Sequence, residues 1–190
     1  MSPNVFQLSR PARKALLTTH ILLSVAWFGV NLALIALDVV AFTTDDGQLV
    51  AAGIAAIVII IPPVIPALAL GTLLTGVLLG LGTRWGLVTH GWVTAKLIIS
   101  VVLTALVATL LLPNALSMAE PDPGLSAEQL RAEFDLMSLL MPPIVSSVAL
   151  MVATVLSVYK PVGRRQKSRR RPDRSISPSS EVPADSTGTR

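Results

Sequence analysis

The chain has 190 residues, of which 52% are hydrophobic and only 14% charged, with a mean hydropathy of +0.69. Soluble domains carry charge on about a quarter of their residues, so this composition excludes an ordinary water-soluble domain and predicts insertion into a lipid bilayer. The net charge of +4 does not point to a nucleic acid: the basic residues lie in short blocks beside apolar runs, where orientation and anionic lipid account for them, and no groove-reading motif accompanies them. With no cysteine, disulfides, thiolate metal sites and thiol redox chemistry are excluded as well.

Residues 1–14 are short and basic, with Arg10, Arg13 and Lys14 directly before the first apolar run. That run, 15–42, is longer than the apolar core of a signal peptide and exceeds the roughly 20 residues a helix needs to cross a bilayer, so it predicts an uncleaved signal anchor. Its polar residues are sorted. His20, Trp27, Asn31 and Asp38 fall within about 20° of one line on a helix, with Ser24 about 40° away. A helix surrounded by lipid has no reason for this sorting, whereas a helix in a bundle turns such a face inward.

A small acidic turn containing Asp45-Asp46-Gly47 leads to a second span at 49–81. As straight helix it would measure about 50 Å against a hydrocarbon core of about 30 Å. Two crossings do not fit this length, so Pro62, Pro63 and Pro66 predict a single crossing with a sharp break. Gly76 and Gly80 form a G-x-x-x-G pair suited to close helix packing, either within the chain or between two copies. A short loop with Arg84, Trp85 and His90 precedes the third span, 91–112. There Trp92 stands at an interfacial position, and Lys96, Ser100 and Thr104 make a polar stripe. Lys96 is close enough to the helix start to snorkel back to the head groups.

From Pro113 to Asp135 the chain reads as a long acidic loop, with Glu120, Asp122, Glu128, Glu133 and Asp135 against Arg131 alone. Within it, Ser126 followed by Gln129 is a capping box and predicts a short interfacial helix. The fourth span, 136–159, carries Pro142-Pro143 near one end and hydroxyls at Ser146, Ser147, Thr154 and Ser157. Residues 160–190 are basic and then rich in Ser, Pro, Asp and Thr, a composition that predicts a disordered tail. The expected fold is therefore all-α: an integral membrane four-helix bundle at 15–159, with second and fourth spans broken at proline. The positive-inside rule places both termini in the cytoplasm and the acidic loops outside, giving a multi-pass protein of the cell membrane whose basic tail meets anionic head groups.

Candidate chemistry is sparse. The line through His20, Asn31 and Asp38 admits two readings: a wet path for protons or cations, its gaps filled by Thr75, Ser100, Thr104 or Ser147, or a structural seam. In the second, Asp38 meets water at the helix end while Asn31 and Trp27 bond across the bundle. Lys96 lies about 20 Å or more from Asp38 along the membrane normal, so no ion pair is expected between them. His20 and His90, the two histidines, are a candidate pair for a b-type haem. For copper, His20 and the thioethers of Met118, Met137 and Met141 are candidate ligands, methionine serving as apolar filler in the other reading. No nucleophile elbow, zinc-binding H-E-x-x-H, phosphate loop or clustered intramembrane acid pair is present, so the sequence offers no support for an enzyme.

Three stretches carry a resemblance: Thr75-Gly76, the loop Gly82-Thr83-Arg84-Trp85-Gly86-Leu87, and the helix start Trp92-Val93-Thr94-Ala95-Lys96. With the upstream stretch from His20 to Val30, they resemble a group of bacterial four-span membrane proteins of unknown function. The likeness covers spans one to three, and span four loosely. More faintly, His20 with Trp27-Phe28-Gly29, together with Gly91 to Lys96, is similar to the copper-resistance D-type membrane proteins, which have twice as many spans. That likeness implies copper handling through His20.

Overall fold

The structure is a computed structural model that describes residues 8–82 and 91–159, without the side chains of Trp92, Val158 and Tyr159. The expected loop at Arg84, Trp85 and His90 and the expected disordered tail at 160–190 lie outside the described residues. Six α-helices follow in chain order: α1 (Arg10–Thr43), α2 (Gly47–Leu81), α3 (Gly91–Leu106), α4 (Leu112–Ser117), α5 (Ala127–Glu133) and α6 (Leu136–Tyr159). A π-helical turn, Val107–Leu111, joins α3 to α4 and makes the two one continuous rod. Four of these units are long and apolar enough to cross a membrane: α1, α2, Val93–Ser117 and Leu136–Ser157. The chain is thus an all-helical bundle of the kind multi-pass membrane proteins form.

Local chemistry sets the ends of the helices. Ser9 Oγ accepts from the Ala12 amide and opens α1 ahead of Pro11, which fits the first turn because that turn has no use for its missing N–H. Asp46 caps α2 by accepting from Gln48 and Leu49. The capping box forms in full, Ser126 Oγ taking the Gln129 amide and Gln129 Oε1 taking the Ser126 amide.

Proline leaves less of a mark than expected. Helix α2 runs unbroken through Pro62, Pro63 and Pro66, and α6 through Pro142 and Pro143. Each proline deprives one carbonyl of its donor, but in an apolar surround no other backbone geometry satisfies the remaining groups better, so helix resumes on both sides. Pro113 also fails to end the third span, which continues to Ser117. The turn before it widens instead, with the Leu112 amide reaching back to Val107, as expected where the proline ring crowds the carbonyl four residues upstream.

The long rods form a ring. Helix α1 packs most extensively on α2 and then on α6, and α3 packs on α2 and α6. Hence α1 stands diagonally opposite α3, and the seam between α3 and α6 is the loosest. Apolar side chains dominate both surfaces: Trp27, Leu34, Ile54, Ile57, Ile61, Ile65 and Leu139 fill the interior, while Ile21, Leu22, Val25, Ile59 and Val148 point outward, each more than half exposed. Asn31, Asp38, Thr72, Thr75, Ser146 and Ser147 are buried. Polar groups turned inward and bare hydrocarbon turned outward is the arrangement lipid selects.

The stretch between α4 and α6 is not a free loop. Helix α5 lies over the ends of α1 and α2, with Ala127, Leu130 and Phe134 buried. Arg131 fastens it, Nε donating to the Ala41 carbonyl at 2.9 Å and Nη2 to the Thr44 carbonyl. These carbonyls end α1, where the helix dipole favours a cation. Gly47 is needed for the same contact: a Cβ there would stand 2.2 Å from the Leu125 carbonyl oxygen.

Candidate functional site

The polar face of α1 lies inside the ring and can be followed from the end that bears the chain termini to the end that bears the acidic connectors. Nearest the termini, His20 Nδ1 meets Thr75 Oγ1 on α2 at 2.9 Å. Two backbone acceptors, the carbonyls of Gly71 at 2.7 Å and Thr72 at 3.1 Å, already compete for the single threonine hydrogen. The network is best satisfied when Nδ1–H donates to Thr75, which leaves the Nε2 lone pair of His20 as an acceptor. Gly76 makes room for this ring: a Cβ would lie 3.3 Å from His20 Cε1, so this half of the G-x-x-x-G pair packs within the chain.

Trp27 follows, 1% exposed, and its indole N–H finds no partner among the described residues. The expected bond from Trp27 across the bundle is therefore not formed among the described residues. At mid-height Asn31 Nδ2 donates to Ser146 Oγ at 2.7 Å, and Ser146 in turn donates to the Pro142 carbonyl at 2.8 Å. That carbonyl is an apt acceptor, since its i+4 partner is Ser146 itself.

Asp38 corrects the reading in which it meets water at the helix end. It is fully buried, and neither carboxyl oxygen has a hydrogen-bond partner among the described residues. The folded-back segment explains the difference, with Arg131 held one turn beyond Asp38 by the Ala41 carbonyl. An isolated carboxylate charge sealed in a low-dielectric interior costs several kcal/mol, so a proton, a cation or water must accompany this side chain. Thr72 Oγ1 and Ser147 Oγ share its condition, buried and unpartnered. Buried polar atoms of this kind call for an explanation.

Of the remaining candidates, Lys96 lies at the same end of the bundle as His20, within electrostatic reach of it. Lys96 Nζ donates to Ser157 Oγ of α6 at the terminal end, and Thr104 returns its hydroxyl to the Ser100 carbonyl at 2.8 Å. Met137 and Met141 sit one turn apart on α6, 51% and 42% exposed, in the half of the bundle opposite His20. The haem pairing rests on His90 and so falls outside the described residues. No group of three or more His, Asp or Glu side chains converges among the described residues.

Two features escaped the sequence. Arg131 stood out as the lone base among acids, but its carbonyl partners lie about ninety positions upstream, beyond any local pattern. The other is a crevice between α3 and α6, opened where the π turn and Pro142-Pro143 face each other. No family model matches the chain, and no match emerges among curated proteins or solved structures.

Proposed function

We propose that the chain is a non-enzymatic, four-span protein of the cell membrane with both termini in the cytoplasm. The observation that carries this is the inside-out distribution just described: four long helices with exposed hydrocarbon and buried polar groups. The charge asymmetry supports the orientation, because the basic residues flank the terminal end, while Asp45, Asp46 and the acids from Glu120 to Asp135 lie at the other. The basic residues from Arg164 to Arg174 would then lie against anionic head groups, each contributing about 1 kcal/mol. Reporter fusions after Arg190 and within 119–124 test the reading. The expected result is cytoplasmic activity for the first and external activity for the second; the reverse, or recovery of the chain without detergent, overturns it.

The buried, unpartnered carboxyl of Asp38 favours a second reading, in which the bundle is a small permease that carries protons along the α1 face. Proton flux into liposomes containing the purified protein, lost in Asp38→Asn, is the expected outcome. Equal flux in the variant removes this reading and leaves the first untouched.

A further inference from the structure

The crevice between α3 and α6 has about 200 Å³ of free space. Its walls are Leu103, Leu106 and Leu110 on one side and Met141, Pro143 and Val145 on the other. The two rods that flank it are tied together toward the terminal end by the Lys96–Ser157 bond and toward the acidic end by Asn114 Nδ2 donating to Ser138 Oγ at 3.1 Å. Ser157 and Ser138 lie about 16 and 12 Å from Ser146 along α6, so the opening is a side window at mid-height rather than an axial mouth. Among the described residues, Asn31 and Ser146 form its polar lining.

These two side chains set the chemistry. Asn31 is 2% exposed and gives one amide hydrogen to Ser146, while Ser146 gives its own hydrogen to the Pro142 carbonyl. A carboxamide has two N–H donors and an oxygen acceptor, so one donor and the oxygen of Asn31 are unused among the described residues. No lining group is charged, which makes the site hostile to an ion. A lipid acyl chain would fill the walls and leave Asn31 unmet. A helix from a second copy, about 10 Å across, is too broad for the space. An apolar cavity of about 150 Å³ takes up benzene, so this one accommodates a single substituted ring.

We propose that the crevice binds a neutral, membrane-soluble molecule with a ring-sized apolar body and one carbonyl or hydroxyl group, which enters sideways from the bilayer and hydrogen-bonds Asn31. The inference rests on the membrane reading above. Its test uses the full chain in phosphatidylcholine nanodiscs and two photoreactive probes at equal membrane concentration: a phenol bearing a trifluoromethyl diazirine, and the same compound without its hydroxyl. The phenol is expected to label Leu103, Leu106, Leu110 and Met141 about fivefold more than its counterpart, the difference one hydrogen bond makes. Asn31→Leu is expected to abolish that excess, and Leu106→Trp, at a partly lipid-facing position, to lower labelling by both probes.

Equal labelling of the wild-type protein by the two probes, or phenol labelling spread evenly to Leu22 and Val25 on the outer face of α1, would show a surface filled by lipid chains and overturn the site. An excess that survives Asn31→Leu overturns the assigned hydrogen bond and with it the proposal. Failure of the membrane reading appears differently, as protein that never enters the nanodiscs.

Discussion

The seam between α1 and α2 and the seam between α3 and α6 solve one problem in opposite ways. The first is closed by small residues. Ala41, Ala51, Gly53 and Ala69 are buried, Gly53 lies beside the Leu37 carbonyl, and Gly71 lies against Leu23. The second is walled by leucines and held by side-chain hydrogen bonds at its two ends, with an opening between them. In lipid, where hydrocarbon outside competes equally with hydrocarbon inside, close backbone approach and interhelical hydrogen bonds are what remain to hold helices together. The α1–α2 seam uses the first device and the α3–α6 seam the second, which is why one is sealed and the other admits guests.

The sharpest way to break this contrast is to add bulk to each seam. Gly53→Leu should overpack α1 against α2 and cost about 3 kcal/mol or prevent accumulation, whereas Leu106→Trp should change stability by less than about 1 kcal/mol; thermal unfolding in detergent compares them. Equal losses would mean that the two seams are packed alike. Next in size, Arg131→Ala should free α5 from the end of α1, at a cost of about 2 kcal/mol for two charge-assisted bonds to carbonyls. Faster proteolysis between Met118 and Phe134, with the four long helices intact, is the expected sign. The smallest effect belongs to the loose seam: Ser157→Ala, which removes the acceptor of Lys96, should cost under about 1 kcal/mol, as interhelical hydrogen bonds in membranes do. A larger loss would show that this bond, rather than the contacts along α2, holds α3 in place.

Much of the fold can be read from local pattern. The alignment of His20, Trp27, Asn31 and Asp38 specifies which side of α1 faces the bundle, and Ser126 with Gln129 specifies where α5 begins, because both signals lie within a few turns of one helix. Proline misleads in this setting. Pro113 signals a stop where water can take over the freed carbonyls, but in an apolar surround the helix widens into a π turn and carries on to Ser117. The burial of Asp38 is also invisible locally, since it depends on a segment from 118 to 135 folding back over α1. The crevice depends on two such events at once, the π turn in one rod and Pro142-Pro143 in another.

The clasp made by Arg131 has an electrostatic consequence. Its guanidinium is held on the carbonyls of Ala41 and Thr44, and its single positive charge is outnumbered by the seven acids of the connectors at that end, Asp45, Asp46, Glu120, Asp122, Glu128, Glu133 and Asp135. That face of the molecule therefore keeps a strong negative potential, which concentrates cations and repels anions within about 8 Å at physiological ionic strength and fades as salt rises. Small positively charged solutes arriving from that compartment meet an attractive surface immediately above the sealed carboxyl of Asp38.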